Sequence, residues 1–185
     1  MRSIAVLYKY FLEICSIVIS KGKKDFSKQN NWCIMYPKYE RGGLLVEKEY
    51  DIERFYNYHR MDYEVALSEI KREKKISHWM WYIFPQLSIL GRSSKSVLFG
   101  ISGREEAADF YNDGYLGGNL KEICNALLEC KSDDAFEIFG HPDNLKLRSS
   151  MTLFYLVTGD ELFKRVIDKF FKGNLDEATA NFLDK

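Results

Sequence analysis

Two short blocks of this chain hold residue types whose spacing could do chemistry. The first is Ser77-His78-Trp79-Met80-Trp81-Tyr82-Ile83-Phe84-Pro85-Gln86-Leu87, followed by Leu90-Gly91-Arg92-Ser93-Ser94. The second is Leu145-Lys146-Leu147-Arg148-Ser149-Ser150-Met151-Thr152-Leu153-Phe154. A histidine, two indoles, cations and hydroxyls set among apolar neighbours read as a polar site in an aromatic core. Its natural ligand is anionic, because guanidinium, ammonium and hydroxyl groups are the donors that satisfy a phosphate or carboxylate.

Each residue has a plain structural reading beside the functional one. His78 could exchange a proton or contact a ligand, but no carboxylate lies near it in sequence to orient the ring, which favours a histidine satisfied by backbone groups over a catalytic one. Trp79 and Trp81 are core-forming residues that need an N–H partner when buried, and they could equally stack a base or another flat group. Pro85 ends its segment, so Gln86 projects from a bend, where its amide ties down the turn or pairs with a ligand. Arg92, after the flexible Gly91, is an anion contact or an exposed loop arginine.

On a helix, Lys146, Ser149, Ser150 and Leu153 share one face and Leu147, Met151 and Phe154 another, while Arg148 and Thr152 stand four apart. That stripe either meets a ligand or consists of hydroxyls bonding back to the preceding turn. Glu137 and Asp143 flank the turn before it and are the acids best placed for a general base. Asp133-Asp134 and Glu105-Glu106 are adjacent acids that point apart on a helix and read as capping or solvated groups. No HExxH, Cys/His ligand spacing, GxSxG or GxGxxG occurs, so neither a metal nor a cofactor is expected.

The elements that must position these residues are helical. Ile52, Phe55 and Tyr56, then Tyr63, Ala66, Leu67 and Ile70, recur at spacings of three and four, with Asp62 as the expected N-cap. Ser102 with Glu105 gives a capping box for a helix through Ala107 and Tyr111, closed at Asp113-Gly114. A helix from about Leu120 to Leu128 follows. Gly140-His141-Pro142-Asp143 predicts a stop, a turn and a new N-cap for a helix to about Val157. Asp160 caps a helix ending before Gly173, and Asp176 caps a short last one. The stretch from Trp79 to Phe84 fits strand or buried helix on pattern alone.

The expected fold is therefore all-α, a compact single-domain bundle or array of about six to eight helices. The domain begins near residue 50. Before it, Ile4 to Ile19 reads as an amphipathic helix interrupted by Lys9 and Glu13 rather than a membrane span, and residues 22–49 as an irregular connection. Twenty-seven basic and 27 acidic side chains cancel to a formal net charge of zero, so no global field attracts nucleic acid or an anionic membrane, and neither partner is expected. Cys15, Cys33, Cys124 and Cys130 show no paired spacing and read as free thiols in a reducing cytoplasm. Nothing in the pattern speaks to oligomeric state.

The residues Ser77-His78-Trp79-Met80-Trp81, Phe84-Pro85-Gln86-Leu87, Leu90-Gly91, Ile138-Phe139-Gly140, and Lys146 with Ser149 through Phe154 closely resemble the DUF1810 family. This family of small bacterial-type proteins has no characterised function and is sometimes mislabelled calpastatin. The resemblance runs from about Asp51 to the C-terminus and implies a mainly α-helical single domain, with no activity attached. Two departures stand out. Family members commonly carry an Ala-Gln pair after the early Arg-Phe, where this chain has Tyr58-His59 after Arg54-Phe55. They also carry Arg-Leu after the central Leu-Gly, where this chain has Asn119-Leu120 after Leu116-Gly117. If either family residue meets a ligand, affinity here changes. Residues 1–49 lie outside the pattern, as a lineage-specific extension or the product of a start codon upstream of Met35.

Two functional readings stand. One is a pocket for a small anionic metabolite, a nucleotide-like molecule among the candidates, formed by His78, Trp79, Trp81, Gln86, Arg92, Lys146, Arg148, Ser149, Ser150 and Thr152, with or without enzymatic turnover. The other is a non-catalytic interaction or scaffold module whose motifs only fix the fold. Because residues 22–49 lack periodic apolar positions, deleting residues 1–49 should leave one cooperative thermal transition; its loss would assign the first helix to the core.

Overall fold

The computed structural model describes residues 50–185, so the expected Ile4–Ile19 helix, its irregular connection, Cys15 and Cys33 fall outside the described residues. These form an all-α domain of nine α-helices and one short 3-10 turn: α1 Glu53–Lys71, α2 Met80–Ile83, the 3-10 turn Ser88–Leu90, α3 Ser94–Phe99, α4 Arg104–Asn112, α5 Leu116–Glu129, α6 Ala135–Phe139, α7 Asp143–Thr158, α8 Glu161–Phe171 and α9 Glu177–Leu183. No described helix is long and apolar enough to cross a membrane.

α1 is one unbroken helix whose buried face runs Phe55, His59, Tyr63, Ala66 and Ile70, a spacing of three and four. Asp62 is therefore no N-cap. It sits in mid-helix and accepts the Tyr82 hydroxyl, while Asp51 Oδ1 takes the Glu53 N–H at 2.8 Å at the true start. The capping box also moves: Gly103 is the N-cap of α4, and Glu106, not Glu105, reaches back to accept the Ser102 N–H at 2.7 Å.

α5 begins at Leu116, one turn before Leu120. Asp113 Oδ1 accepts from the Tyr115 and Leu116 N–H groups at 3.0 and 2.8 Å. Gly117 also lies so close to α4 that a Cβ there would stand 1.9 Å from the Tyr111 carbonyl oxygen. Gly117 and Gly118 interrupt the hydrophobic pattern over that first turn. At its other end Lys169 donates to the Leu127, Leu128 and Cys130 carbonyls, a cation on the negative pole of the helix.

α7 is the central element, packed against α4, α6, α8, α9 and α2. It is buried on most of its circumference, from Leu147 through Phe154. Phe55, Phe110, Phe154 and Phe163 form a file of rings across α1, α4, α7 and α8, with centroids 5.0, 5.7 and 5.6 Å apart. Asp160 and Asp176 cap α8 and α9 as expected, accepting the Leu162 and Thr179 N–H groups at 2.9 and 3.0 Å. The Trp79–Phe84 stretch resolves into the single helical turn α2, and the described residues hold no strand beyond an isolated bridge between Leu87 and Ile101. Cys124 and Cys130 are free and buried.

His59 is a fully buried histidine in this core. Its Nε2 lies 2.6 Å from the Tyr82 carbonyl and so carries the proton, which leaves Nδ1 to accept from Asn119 Nδ2 at 3.3 Å. Burial holds its pKa down to about 4 against an ordinary 6.5, opposed only in part by the Tyr82 carbonyl and the charge of Asp113. The unfolded chain therefore binds the extra proton first, and stability should fall as the pH drops from about 6.5 to about 4, by on the order of 3 kcal/mol. Urea unfolding at several pH values should show this slope in the wild type and lose it in His59→Gln, which keeps an amide donor for Tyr82 but has no titrating ring.

Candidate functional site

The first block is organised by a residue outside it. Glu69, 3% exposed on α1, accepts four donors: the Ile76 N–H at 2.9 Å, the Ser77 N–H at 3.1 Å, the Ser77 hydroxyl at 2.6 Å and the Trp79 indole N–H at 2.8 Å. Burial alone would raise its carboxyl pKa, but these hydrogen bonds outweigh it and hold the group below the usual glutamate range. Trp79 is thereby locked in the core, fully buried, with Lys75 Nζ 4.8 Å from its ring centroid. Two residues later, about half a helical turn on, Trp81 faces the other way, towards α7.

Around Trp81 the two blocks meet in a groove of two adjoining lobes. One, of about 440 Å³, is lined by Gln86, Leu90, Gly91, Arg92, Pro142, Leu145 and Ser149; the other, of about 510 Å³, by His78, Met80, Lys95 and Asp143; Trp81, Ser93 and Lys146 belong to both. These volumes fall in the range of small-molecule sites. Gly91 makes the wall possible, since a Cβ there would lie 2.6 Å from the Trp81 ring and 2.5 Å from Ser96 Cβ. The backbone of Gln86 is pinned by its carbonyl, which accepts the Ile101 N–H at 2.9 Å.

The Gln86 lobe is a set of donors. Gln86 is 2% exposed and its Nε2 has no hydrogen-bond partner. Arg92 forms no ion pair or hydrogen bond among the described residues. No carboxylate lines this lobe. Lys146 Nζ is 2.7 Å from Asp143 Oδ1 and 5.6 Å from the Trp81 ring centroid. Asp143 is shared, because Lys75 Nζ holds its other oxygen at 2.6 Å and also donates to the Ser77 carbonyl at 2.6 Å. Burial pushes the Asp143 carboxyl up, but the hydrogen bonds from Lys146 and Lys75 and their charges more than offset it and leave it below the usual aspartate range. Two ammoniums on one carboxylate leave a net positive charge. An acid held this low is a weak general base, and Glu137, the other acid considered, is engaged by the Ser132 hydroxyl at 2.7 Å in an exposed position.

Of the residues singled out in sequence, His78, Trp81, Gln86, Arg92, Lys146 and Ser149 line the groove. Trp79, Arg148, Ser150 and Thr152 do not. Arg148 and Thr152 cooperate, but on Asp176: the guanidinium lies 3.8 Å from Asp176 Oδ1, and the Thr152 hydroxyl accepts the Asp176 N–H at 2.9 Å. Ser149 bonds back to the Leu145 carbonyl at 3.2 Å, so its proton is used within the helix, and the Ser150 hydroxyl is buried without a partner. Sequence reading missed Glu69, Lys75 and Lys95. Glu69 carried one signal, an acid on the apolar stripe of α1; Lys95, on the exposed side of α3, carried none. The two departures from the family pattern are neighbours in space, His59 against Asn119, and neither lines the groove. They alter a core contact.

Replacing Glu69 by Gln keeps the shape but turns two acceptor oxygens into one and faces an NH2 towards bound donors. Stability at pH 7 should fall by roughly 3 kcal/mol or more. The depressed pKa of Glu69 means that its contribution is complete above the ordinary glutamate range and is lost as the pH falls through its lowered value, so Glu69→Gln should also show a flatter acid limb in thermal unfolding.

Among the described residues no cluster of three or more His, Cys, Asp or Glu could hold a metal ion. No curated protein matches the chain. The crystal structure of the conserved hypothetical protein Rv1873 from Mycobacterium tuberculosis is similar, with 36% sequence identity and a TM-score of 0.72, over 75% of this chain and 99% of that one. The model of the protein family of unknown function DUF1810 matches residues 49–183, the span that carries both blocks and the groove between them, and the chain belongs to that family.

Proposed function

We propose that the groove binds a small anionic molecule, with the anion in the Gln86 lobe. The observation that carries this reading is the Gln86 amide nitrogen, buried and without a partner, beside Arg92 and Lys146 in a lobe that no carboxylate lines. A buried donor left unsatisfied costs about 1–3 kcal/mol, which a ligand oxygen would recover. Lys146 is the more exposed of the two lysines on Asp143, 24% against 6% for Lys75, and Lys75 keeps Asp143 neutralised when Lys146 turns to the ligand. Trp81 is 8% exposed, so it offers a wall and an edge rather than a full face for stacking a base. The reading is one of binding: Asp143 is held by two lysines, and the His78 ring, which lines the groove, has no carboxylate partner among the described residues to orient it as a base.

The scaffold reading has its own observation. Trp79, Arg148 and Thr152 are tied to Glu69 and Asp176, which supports a structural role for those three motif residues. A reducing compartment such as the cytoplasm is supported by the free, buried Cys124 and Cys130.

Inorganic phosphate, titrated at constant ionic strength against chloride, should raise the melting temperature by mass action. Gln86→Leu and Arg92→Gln should each weaken phosphate by about tenfold or more, and Gln86→Leu should match or exceed the wild type in stability without phosphate. No phosphate shift beyond that of chloride, or a full shift in Gln86→Leu, would overturn the assignment.

A further inference from the structure

We infer that the occupant of the groove is a short hydroxylated molecule with an anionic head, of the sugar-phosphate or sugar-acid class, its head in the Gln86 lobe and its hydroxyls in the His78 lobe. This rests on the anion-binding reading above and adds the class and the orientation of the ligand.

The two lobes differ in chemistry. The Gln86 lobe offers Arg92, Lys146 and the Gln86 amide with no acid, between apolar walls from Leu90, Pro142 and Leu145. Only a group rich in acceptors satisfies it. The His78 lobe is mixed: Lys146 and Lys95, which spends one of its three donors on the His78 carbonyl at 3.1 Å, donate, and Asp143 accepts. A second anion placed there would meet the Asp143 carboxylate, and a cation would meet Lys95 and Lys146. A hydroxyl is the group that serves both, because it donates to the carboxylate and accepts from an ammonium. Asp143 has the capacity, since each of its oxygens takes one ammonium, at 2.6 and 2.7 Å, and retains a lone pair. Hydrogen bonds from a hydroxyl to an ionised carboxylate are about twice as strong as neutral ones. Trp81, shared by both lobes, and Met80, within the His78 lobe, are apolar surfaces suited to the C–H face of a carbon chain or ring. Lys146 belongs to both lobes, which places the junction of head and hydroxylated body beside its ammonium.

The test compares inorganic phosphate, ribose 5-phosphate and gluconate by calorimetric titration on the full chain. The quantity read is the ratio of ribose 5-phosphate to inorganic phosphate affinity within each variant, which cancels changes in the anion lobe. In the wild type this ratio should be about tenfold or more. Asp143→Asn and, independently, the exposed-residue variant Lys95→Ala should shrink it to within about threefold while phosphate still binds. Should Asp143→Asn fail to fold, Lys95→Ala gives the same reading. Gluconate binding more tightly than ribose 5-phosphate would keep the hydroxyl lobe and identify the head as a carboxylate. A wild-type ratio near one, or a ratio that neither substitution changes, would overturn this inference with the anion site intact. Absence of binding by all three probes would overturn both.

Discussion

The buried carboxylate of Glu69 is the constraint on which the rest of the site depends. A lone charge in an apolar interior is prohibitively costly, and it persists here because Ile76, Ser77 and Trp79 surround it with donors. That requirement folds the chain back sharply after α1 and plants the Trp79 indole in the core. The direction of Trp81 then follows from the single turn of α2. Lys75, at the edge of the same shell, reaches Asp143 at the start of α7. One carboxylate thus sets the turn, and one lysine couples the turn to the helix that forms the opposite wall of the groove.

α7 divides its polar residues between two tasks. Lys146 and Ser149 face the groove, whereas Arg148 and Thr152 hold Asp176, the residue that caps α9. Its apolar residues Leu147, Met151 and Phe154 close the core between them. Such a helix has apolar neighbours on several sides and polar side chains at three stations, and its role rests on its partners rather than on a simple two-faced pattern. The C-terminal helices are bound to the same frame by Arg104, whose guanidinium donates to the Leu183 and Leu156 carbonyls.

The charge pattern of the groove is local. A chain with a formal net charge of zero has no long-range field to gather anions. What it has is a cluster in which two ammoniums share one carboxylate, next to an unpaired guanidinium and an unfilled amide. Lys75, Asp143 and Lys146 are part-buried and interact more strongly than on an open surface, whereas Arg92 is exposed at the rim. Under the proposed binding role, selectivity would come from which lobe contains an acid and which does not.

The sequence by itself determined the helices whose signals are local. Asp160, Asp176, Gly140 and Gly173 act through bonds and dihedrals within a few residues, and the all-α class follows from apolar spacing that any helix must obey. It also placed six of the groove residues in two blocks, because a clustered Trp, Gln, Arg, Lys and Ser has an unusual composition whatever the fold. Only the tertiary structure decided the remainder. Asp62 and Ser102 looked like caps because they had cap chemistry, yet Tyr82 and Gly103 redirected the local geometry. Trp79 and Trp81 are two apart and chemically identical, and a carboxylate ten residues before Trp79 sends one to the core and leaves the other at the groove. Arg148 and Lys146 differ by two positions on one helix, and Asp176 and Asp143 claim them for different purposes. A side chain's role depends on partners distant in sequence, and a pattern with a period of a few residues carries no record of them.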